Sequence, residues 1–493
     1  MLKNQQSGFN QALWLGISQA SSFVLAFLSA AILSRYFDKT EYGTYKQIIY
    51  VYTTLQTVFT AGLPGVFSYF LPQYSDAEGK TLVNRITRVF FILGLVFSVV
   101  LYSTSGLIAD LLKNPELEIG LKIFSPFPLL TIPTMGIEGI YTALKKTKYI
   151  AIYQTVSKLV MLVCLVLPVI AWHGDYRSAI VGWGVASLVT FVIAMYMKRK
   201  PYVHVKAQLI SGMYRTIFNY SLPLMYASIV GMFLHSANQF FVSRYYGTKV
   251  FAEFSNGFIP LPFVAMIAGS VKGVLLPLFS KAKSAGNLND ALVVYGSAVR
   301  KSINLLYPLI FFVFFFAKDI VVLIYGAQYE VSAPYLRVLL IKDMVEVLPF
   351  LAVLLAVGKS YIYFWVHLCA AVLIWGIDFI VVFCGFPPIG IAIVSSATQI
   401  LMSVAFFWYL NRKMEIHLFP WKMVAYIGTI SSHLILVGAI VALFEQYVIL
   451  SWPIIGRLGI CGVIYYGVLW ISGRKIGINY LESVELLLKQ WRQ

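Results

Sequence analysis

The chain of 493 residues is short of charge. Asp, Glu, Lys and Arg make up 12% of it, about half the ~25% of a soluble domain. It is also short of cysteine, with only Cys164, Cys369, Cys384 and Cys461. All four lie in or at the ends of apolar runs without CxxC spacing, so they read as small packing residues, not as a disulfide framework or a metal site. The six histidines (His173, His204, His235, His367, His417, His433) are scattered, and none pairs at metal-ligand spacing. No Gly-rich loop ending in GK[ST] is present, which argues against nucleotide hydrolysis by the chain itself. No connection between apolar runs exceeds about 30 residues, so no soluble catalytic domain fits between them. No catalytic constellation, bound metal, cofactor or lipidation motif is expected.

What is present is apolar. The apolar share is 59%, and the 35 glycines raise it to about 66%, against roughly 45–50% in soluble proteins. That excludes a soluble enzyme, a disordered chain and a coiled coil. The runs are about 20 residues long, as helices crossing a ~30 Å hydrocarbon core require. The alternating ~10-residue segments of an outer-membrane barrel are absent. The expected fold is therefore an all-α polytopic membrane protein of about 14 transmembrane helices. They lie near 11–33, 45–70, 88–109, 119–143, 149–171, 178–197, 217–243, 254–276, 302–325, 334–357, 361–383, 389–410, 422–443 and 452–471. The run from Ala12 to Leu33 is too long for a signal-peptide core and reads as an uncleaved first span.

The net charge of +18 does not point to nucleic acid. Cations resist translocation, so cytoplasmic loops collect them. With the N-terminus inside, inner segments hold 24 of the 38 Lys and Arg, outer segments hold 11, and Lys158, Lys272 and Lys342 fall within spans. This bias supports an even span count with both termini cytoplasmic. The basic connection from Lys281 to Lys301, with its Gly286-Asn287 turn, reads as an amphipathic helix on the inner leaflet, with Asn287 or Asn289 as a candidate cap.

The chain repeats itself. Ser34-Arg35-Tyr36-Phe37 matches Ser243-Arg244-Tyr245-Tyr246, Gly65-Val66 matches Gly273-Val274, and Leu111-Leu112 to Glu118-Ile119 matches Leu323-Ile324 to Glu330-Val331. The three matches stand in the same order at a nearly constant offset. They imply two homologous six-helix lobes in the same orientation, residues 1–205 and 206–415, with two further helices and a tail in 416–493. Parallel repeats of this kind bind substrate between lobes and rock around it.

Ionisable groups at membrane depth are costly against lipid, so each faces a cavity or a partner. Lys272 lies between Gly269 and Gly273 in span 8, and its repeat position is Pro64, between Gly62 and Gly65. Both second helices of the lobes thus carry a breaker cluster, a mark of substrate sites in transporters. The alternative is a packing kink with Lys272 snorkelling to the interface. Arg35 and Arg244 end spans 1 and 7 at matched positions. They read either as a phosphate-binding guanidinium pair or as interfacial arginines capping helix ends. Lys158 in span 5 is a further cation, with Glu138 of span 4 as its alternative partner. In span 10, Lys342 and Glu346 share a face at i,i+4, which leaves Asp343 in need of another partner. Asp378 in span 11 has no cation near it in sequence. These carboxylates read as carriers of a coupling Na+ or H+ or as an ion-pair network.

Three stretches resemble the polysaccharide-transporter (Wzx-like flippase) branch of the MOP exporter superfamily. They are Leu33-Ser34-Arg35-Tyr36-Phe37 through Glu41-Tyr42-Gly43; Leu276-Pro277-Leu278-Phe279-Ser280 with the turn after it; and Lys318-Asp319-Ile320 through Tyr325-Gly326, Tyr329 and Ala333. The resemblance implies a MATE-like bacterial inner-membrane protein of two six-helix lobes plus two extra helices. It also implies a flippase moving undecaprenyl-pyrophosphate-linked oligosaccharide to the outer leaflet for O-antigen, capsule or exopolysaccharide assembly. Partners would be membrane lipids, a polysaccharide polymerase and chain-length machinery. A cationic central cavity would hold the pyrophosphate, a role that Lys272 fits by position, whereas Pro64 breaks the symmetry of such a clamp. Relatives flip the peptidoglycan precursor or exchange drugs for cations, and both remain alternatives. A membrane polysaccharide polymerase or ligase is a third.

Overall fold

A computed structural model describes residues 2–60, 62–209, 211–259, 261–285 and 287–480; the side chains of residues 2–10, 12, 13 and 262 are not described. Gly286 of the expected turn and the tail beyond Tyr480 lie outside these residues. The described chain is almost entirely helical. The helices are α1 (Leu2–Tyr36), α2 (Lys39–Thr60), α3 (Gly65–Phe70), α4 (Asp76–Ser103), α5 (Ser105–Leu111), α6 (Glu116–Phe124), α7 (Phe127–Thr131), α8 (Ile137–Ala143), α9 (Thr147–Trp172), α10 (Tyr176–Arg199), α11 (Met213–Gly257), α12 (Pro262–Ser284), α13 (Asn289–Phe315), α14 (Ala317–Tyr325), α15 (Ala333–Glu346), α16 (Phe350–Ala356), α17 (Ser360–Phe383), α18 (Ile389–Lys413), α19 (Trp421–Phe444) and α20 (Ile454–Lys475).

The repeat is visible in helix boundaries. α4, α8, α9 and α10 begin at Asp76, Ile137, Thr147 and Tyr176, while α13, α16, α17 and α18 begin at Asn289, Phe350, Ser360 and Ile389, all four at one identical offset. By packing, the chain divides into two compact units, residues 1–253 and 254–493. α11, which kinks at Gly247 (φ +84°, ψ 173°), packs with the first unit as far as Glu253, whereas the sequence repeat sets its division at 205/206.

Among the described residues, twelve helices are long and apolar enough to cross a membrane. The other two expected spans are present but differ in kind. α2 carries six Thr, four Tyr and two Gln in 22 residues and is too polar to count by composition. Span 10 is interrupted: α15 ends at Glu346, and α16 restarts after Pro349. Its repeat partner, span 4, is interrupted as well, because Pro126, Pro128 and Pro133 remove amide donors along α6–α8. Gly136 then turns the chain at φ +87°, and a Cβ there would lie 2.2 Å from the Phe67 ring.

Only one of the two glycine clusters coincides with a break. Span 2 does break at Gly62 (φ +69°) and Pro64, between α2 and α3, with Gly65 opening α3. α12, however, runs unbroken through Gly269 and Gly273. Both glycines face open space, so no neighbour demands their smallness. An interior Gly costs a helix only about 1 kcal/mol, which the surrounding turns absorb. The basic Lys281–Lys301 segment is also not a separate surface helix. α12 extends to Ser284 and α13 starts at Asn289, whose backbone amide donates to the Asn287 Oδ1 at 3.0 Å. The cations sit on the ends of two spans.

Lipid tails are as apolar as Leu, so dispersion and polar contacts, not water exclusion, hold the helices together. In the first unit, Tyr52 packs on Phe97 (5.8 Å) and Phe124 (4.9 Å), and Phe124 on Trp183 (5.4 Å), joining α2, α4, α6 and α10. α1 lies along α9, with Ser21 and Thr155 hydroxyls 2.7 Å apart and Ser18 donating to Gln154. α4 starts on a capping box in which Ser75 and Glu78 satisfy each other's backbone amides. In the second unit, Tyr465 of α20 packs on Phe312 (5.5 Å) and donates to the Pro308 carbonyl at 3.0 Å.

Candidate functional site

Both units bury polar groups, but of different kinds. In the first unit, α2 runs against α11 and presents a single stripe to it. Residues 43, 47, 50, 54 and 57 fall three or four apart and share one helix face. Gly43 allows the closest approach, since a Cβ there would sit 2.2 Å from the Thr248 carbonyl oxygen. Next along the stripe, the fully buried Gln47 donates to Ser243 Oγ at 2.8 Å and accepts from Asn114 Nδ2 at 2.6 Å. Tyr50 then donates to the Ser236 carbonyl at 3.3 Å. Near the α2 N-terminus, Lys39 pairs with Glu253 at 2.5 Å. Beyond the other end of α2, Tyr69 stacks on Tyr220 with ring centres 4.5 Å apart. α2–α3 and α11 therefore touch above and below a gap.

The gap is a cavity of about 210 Å³ lined by Tyr50, Thr53, Thr54, Thr57, Met232, His235, Ser236 and Gln239. Among the described residues, no Asp, Glu, Lys or Arg lines it. Thr53 Oγ1 donates to the Ile49 carbonyl at 2.9 Å and Thr57 Oγ1 to the Thr53 carbonyl at 3.2 Å. Their protons are committed to the helix, so the hydroxyl lone pairs remain as acceptors. None of these residues stood out in the sequence. The available signal was the period of Thr and Gln along a span that composition makes too polar.

The cations named from sequence are dispersed. Lys272 is exposed on α12 and Lys158 on α9; neither makes a hydrogen bond or ion pair among the described residues. Lys158 is not paired with Glu138, whose carboxylate accepts from Gln154 instead. Arg35 is exposed at the end of α1. Arg244 donates to the Leu111 carbonyl at the end of α5 and lies over the Tyr245 ring. Lys198, read from sequence as a cytoplasmic loop charge, is instead 2% exposed and donates to the Pro133 and Met135 carbonyls at 2.7 and 2.6 Å. It supplies the donors that the span 4 break removed, as lipid-embedded backbone requires.

The second unit buries carboxylates. Lys342 Nζ lies 2.6 Å from Glu346 and 2.8 Å from Asp343. Asp343 thus finds its partner in the adjacent residue, because Lys342 is long enough to fold back along the helix while still reaching Glu346. Asp319, from the third family-like stretch, accepts from Arg457 Nη2 at 2.6 Å, and Arg457 Nε is 3.7 Å from Glu445. This cluster joins α14 to the last two spans. Asp378 on α17 is fully buried, and neither oxygen has a hydrogen-bond partner among the described residues.

Known proteins resemble the chain in sequence and in fold. A family model described as "Polysaccharide biosynthesis protein" matches residues 9–283, more than half the chain. A succinoglycan biosynthesis transport protein of Rhizobium meliloti (strain 1021) is 23% identical over 383 residues, 73% of this chain and 71% of that protein. The inward closed conformation of the lipid II flippase MurJ superposes with a TM-score of 0.72 at 15% identity, covering 94% of this chain and 99% of that one. An inward-facing multidrug resistance MATE family transporter of the MOP superfamily gives 0.66 at 13% identity, covering 82% and 98%. At these identities the two structures establish the MOP-type fold alone.

Proposed function

The chain belongs to the polysaccharide biosynthesis protein family, and on that footing we propose that it is a flippase for undecaprenyl-pyrophosphate-linked oligosaccharide. It works by alternating access, from the cytoplasmic to the outer leaflet of a bacterial inner membrane, and it is not an enzyme. The observation that carries this reading is the uncharged, hydrogen-bonding cavity between α2 and α11 of a multi-pass membrane chain. A hydrated glycan does not enter hydrocarbon unaided, and a polar passage replaces its water while the polyprenyl tail stays in lipid. The transport role of the Rhizobium relative supports the same class of cargo. The Lys and Arg bias supports both termini inside. The repeat supports lobes of residues 1–205 and 206–415, with 416–493 added.

Two groups carry roles within this reading. Lys272 binds the pyrophosphate, as its exposed ammonium, without a partner among the described residues, supports, with Arg35, Arg244 and Lys158 as weaker contributors. Asp378 carries a coupling Na+ or H+, supported by its burial without a hydrogen-bond partner among the described residues. The flipped units feed O-antigen, capsule or exopolysaccharide assembly beside a polymerase and chain-length machinery.

The test is transfer in liposomes containing the purified chain and a fluorescent undecaprenyl-pyrophosphate oligosaccharide, with leaflet position read by a membrane-impermeant quencher. Transfer should require the protein and fall roughly tenfold or more in Lys272→Ala, because a charge-assisted contact to the pyrophosphate is lost. Transfer unchanged in the variant discards Lys272 and keeps the flippase. No transfer with several glycans, with or without an ion gradient, moves the assignment to drug–cation antiport.

A further inference from the structure

We propose that the α2–α11 cavity is a sugar subsite that reads the glycan and leaves the pyrophosphate to other residues. This rests on the flippase reading and assigns to Thr53, Thr57 and Gln239 the selection of cargo. The chemistry of the lining carries it. Its polar groups are hydroxyls, one carboxamide and one imidazole, with no formal charge from Asp, Glu, Lys or Arg. A pyrophosphate placed there would lose its hydration without a compensating cation. A neutral sugar ring meets the opposite situation. Its hydroxyls are donors, and the threonine protons are already committed to the carbonyls of Ile49 and Thr53, so the Oγ1 lone pairs accept. The Gln239 amide supplies both a donor and an acceptor. The apolar faces of a pyranose pack against the Tyr50 ring and the Met232 side chain, which line the same space.

Size and position agree. About 210 Å³ is below the ~300–1,000 Å³ of drug-sized ligand pockets, so the cavity seats one sugar residue and not a whole repeat unit. The contacts on either side fix the spacing of its walls. Gln47–Ser243 and Tyr50–Ser236 hold the helices on one side, and the Tyr69–Tyr220 stack holds them on the other. The ring that fits is set by how far α2 and α11 separate between these contacts. Sites built on hydrogen bonds reject analogues that leave a polar group unpaired more strongly than apolar sites reject a missing methylene.

The experiment compares two carriers in liposomes with the full chain: undecaprenyl-pyrophosphoryl hexose and sugar-free undecaprenyl pyrophosphate. Impermeant periodate reports the first in the outer leaflet, and an impermeant phosphatase reports the second. The double variant T53V/T57V keeps side-chain shape and removes both acceptors. It should slow the glycosylated carrier about tenfold and leave the sugar-free carrier unchanged, while T53S/T57S should restore the glycosylated rate. Equal slowing of both carriers overturns the subsite, because the residues would then serve the passage and not the sugar. An unchanged rate for both overturns it as well, with the flippase intact. If the wild type moves neither carrier, the flippase reading fails and the subsite falls with it.

Discussion

The two units bury polar groups by opposite strategies. The first unit relies mainly on neutral partners, with one largely buried ion pair, Lys39–Glu253, at the α2 N-terminus. Gln47, Asn114, Thr44 and Ser243 form an amide and hydroxyl network, and even the buried charge of Lys198 is met by carbonyl dipoles and not by a carboxylate. The second unit relies on ions: Lys342 with Asp343 and the half-exposed Glu346, Arg457 with Asp319 and Glu445, and Asp378 with no hydrogen-bond partner among the described residues. Neutral groups cost less to desolvate and can exchange one hydrogen-bond partner for another, including water or a sugar. Paired ions at membrane depth are costly to separate and so hold helices in one arrangement.

The largest effect on this contrast is expected from Arg457→Leu. It leaves two carboxylates buried on α14 and after α19 without their cation. The expected loss is about 3–5 kcal/mol, read as a lower melting temperature in detergent. Adding Asp319→Asn should recover a large part of it. A midpoint unchanged by Arg457→Leu would show that the cluster is no anchor. In the first unit, Lys198→Met should cost about 2–3 kcal/mol, because two buried carbonyls lose a charged donor. Proteolysis or hydrogen exchange should locate the loosening at residues 132–136. Equal protection there in variant and wild type would remove Lys198 as the cap of the broken span. The smallest expected change in stability is for Asp378→Asn, within about 1 kcal/mol or stabilising, since the substitution removes the chance of an uncompensated buried charge. Gradient-driven transport should nevertheless be lost. Full gradient-driven transport in this variant would place coupling elsewhere.

Much of the architecture is legible in the chain itself. Apolar runs long enough to cross a bilayer mark the spans. Matched motifs at a nearly constant offset reveal the repeat, which four pairs of helix starts then express at one identical offset. Asp319 and Gly43 stand in the stretches that carry the family resemblance. Their physical tasks, an ion pair with Arg457 and a close approach to Thr248, appear only in three dimensions. The site residues were harder to read. Lys198 sits in Lys198-Arg199-Lys200, which looks like an ordinary basic loop. Arg457 counted as one more outer cation. The glycines around Lys272 resembled a hinge, yet α12 passes straight through them.

The order of residues alone settles that the chain crosses a membrane as two related helical halves. Hydrophobic length and charge bias are local properties that the bilayer reads one segment at a time. Packing settles which polar groups are paired among the described residues and where α2 meets α11. Thr57 and Ser236 stand far apart in the chain, on helices separated by eight others. A cavity between them is a relation of distance that no single segment encodes.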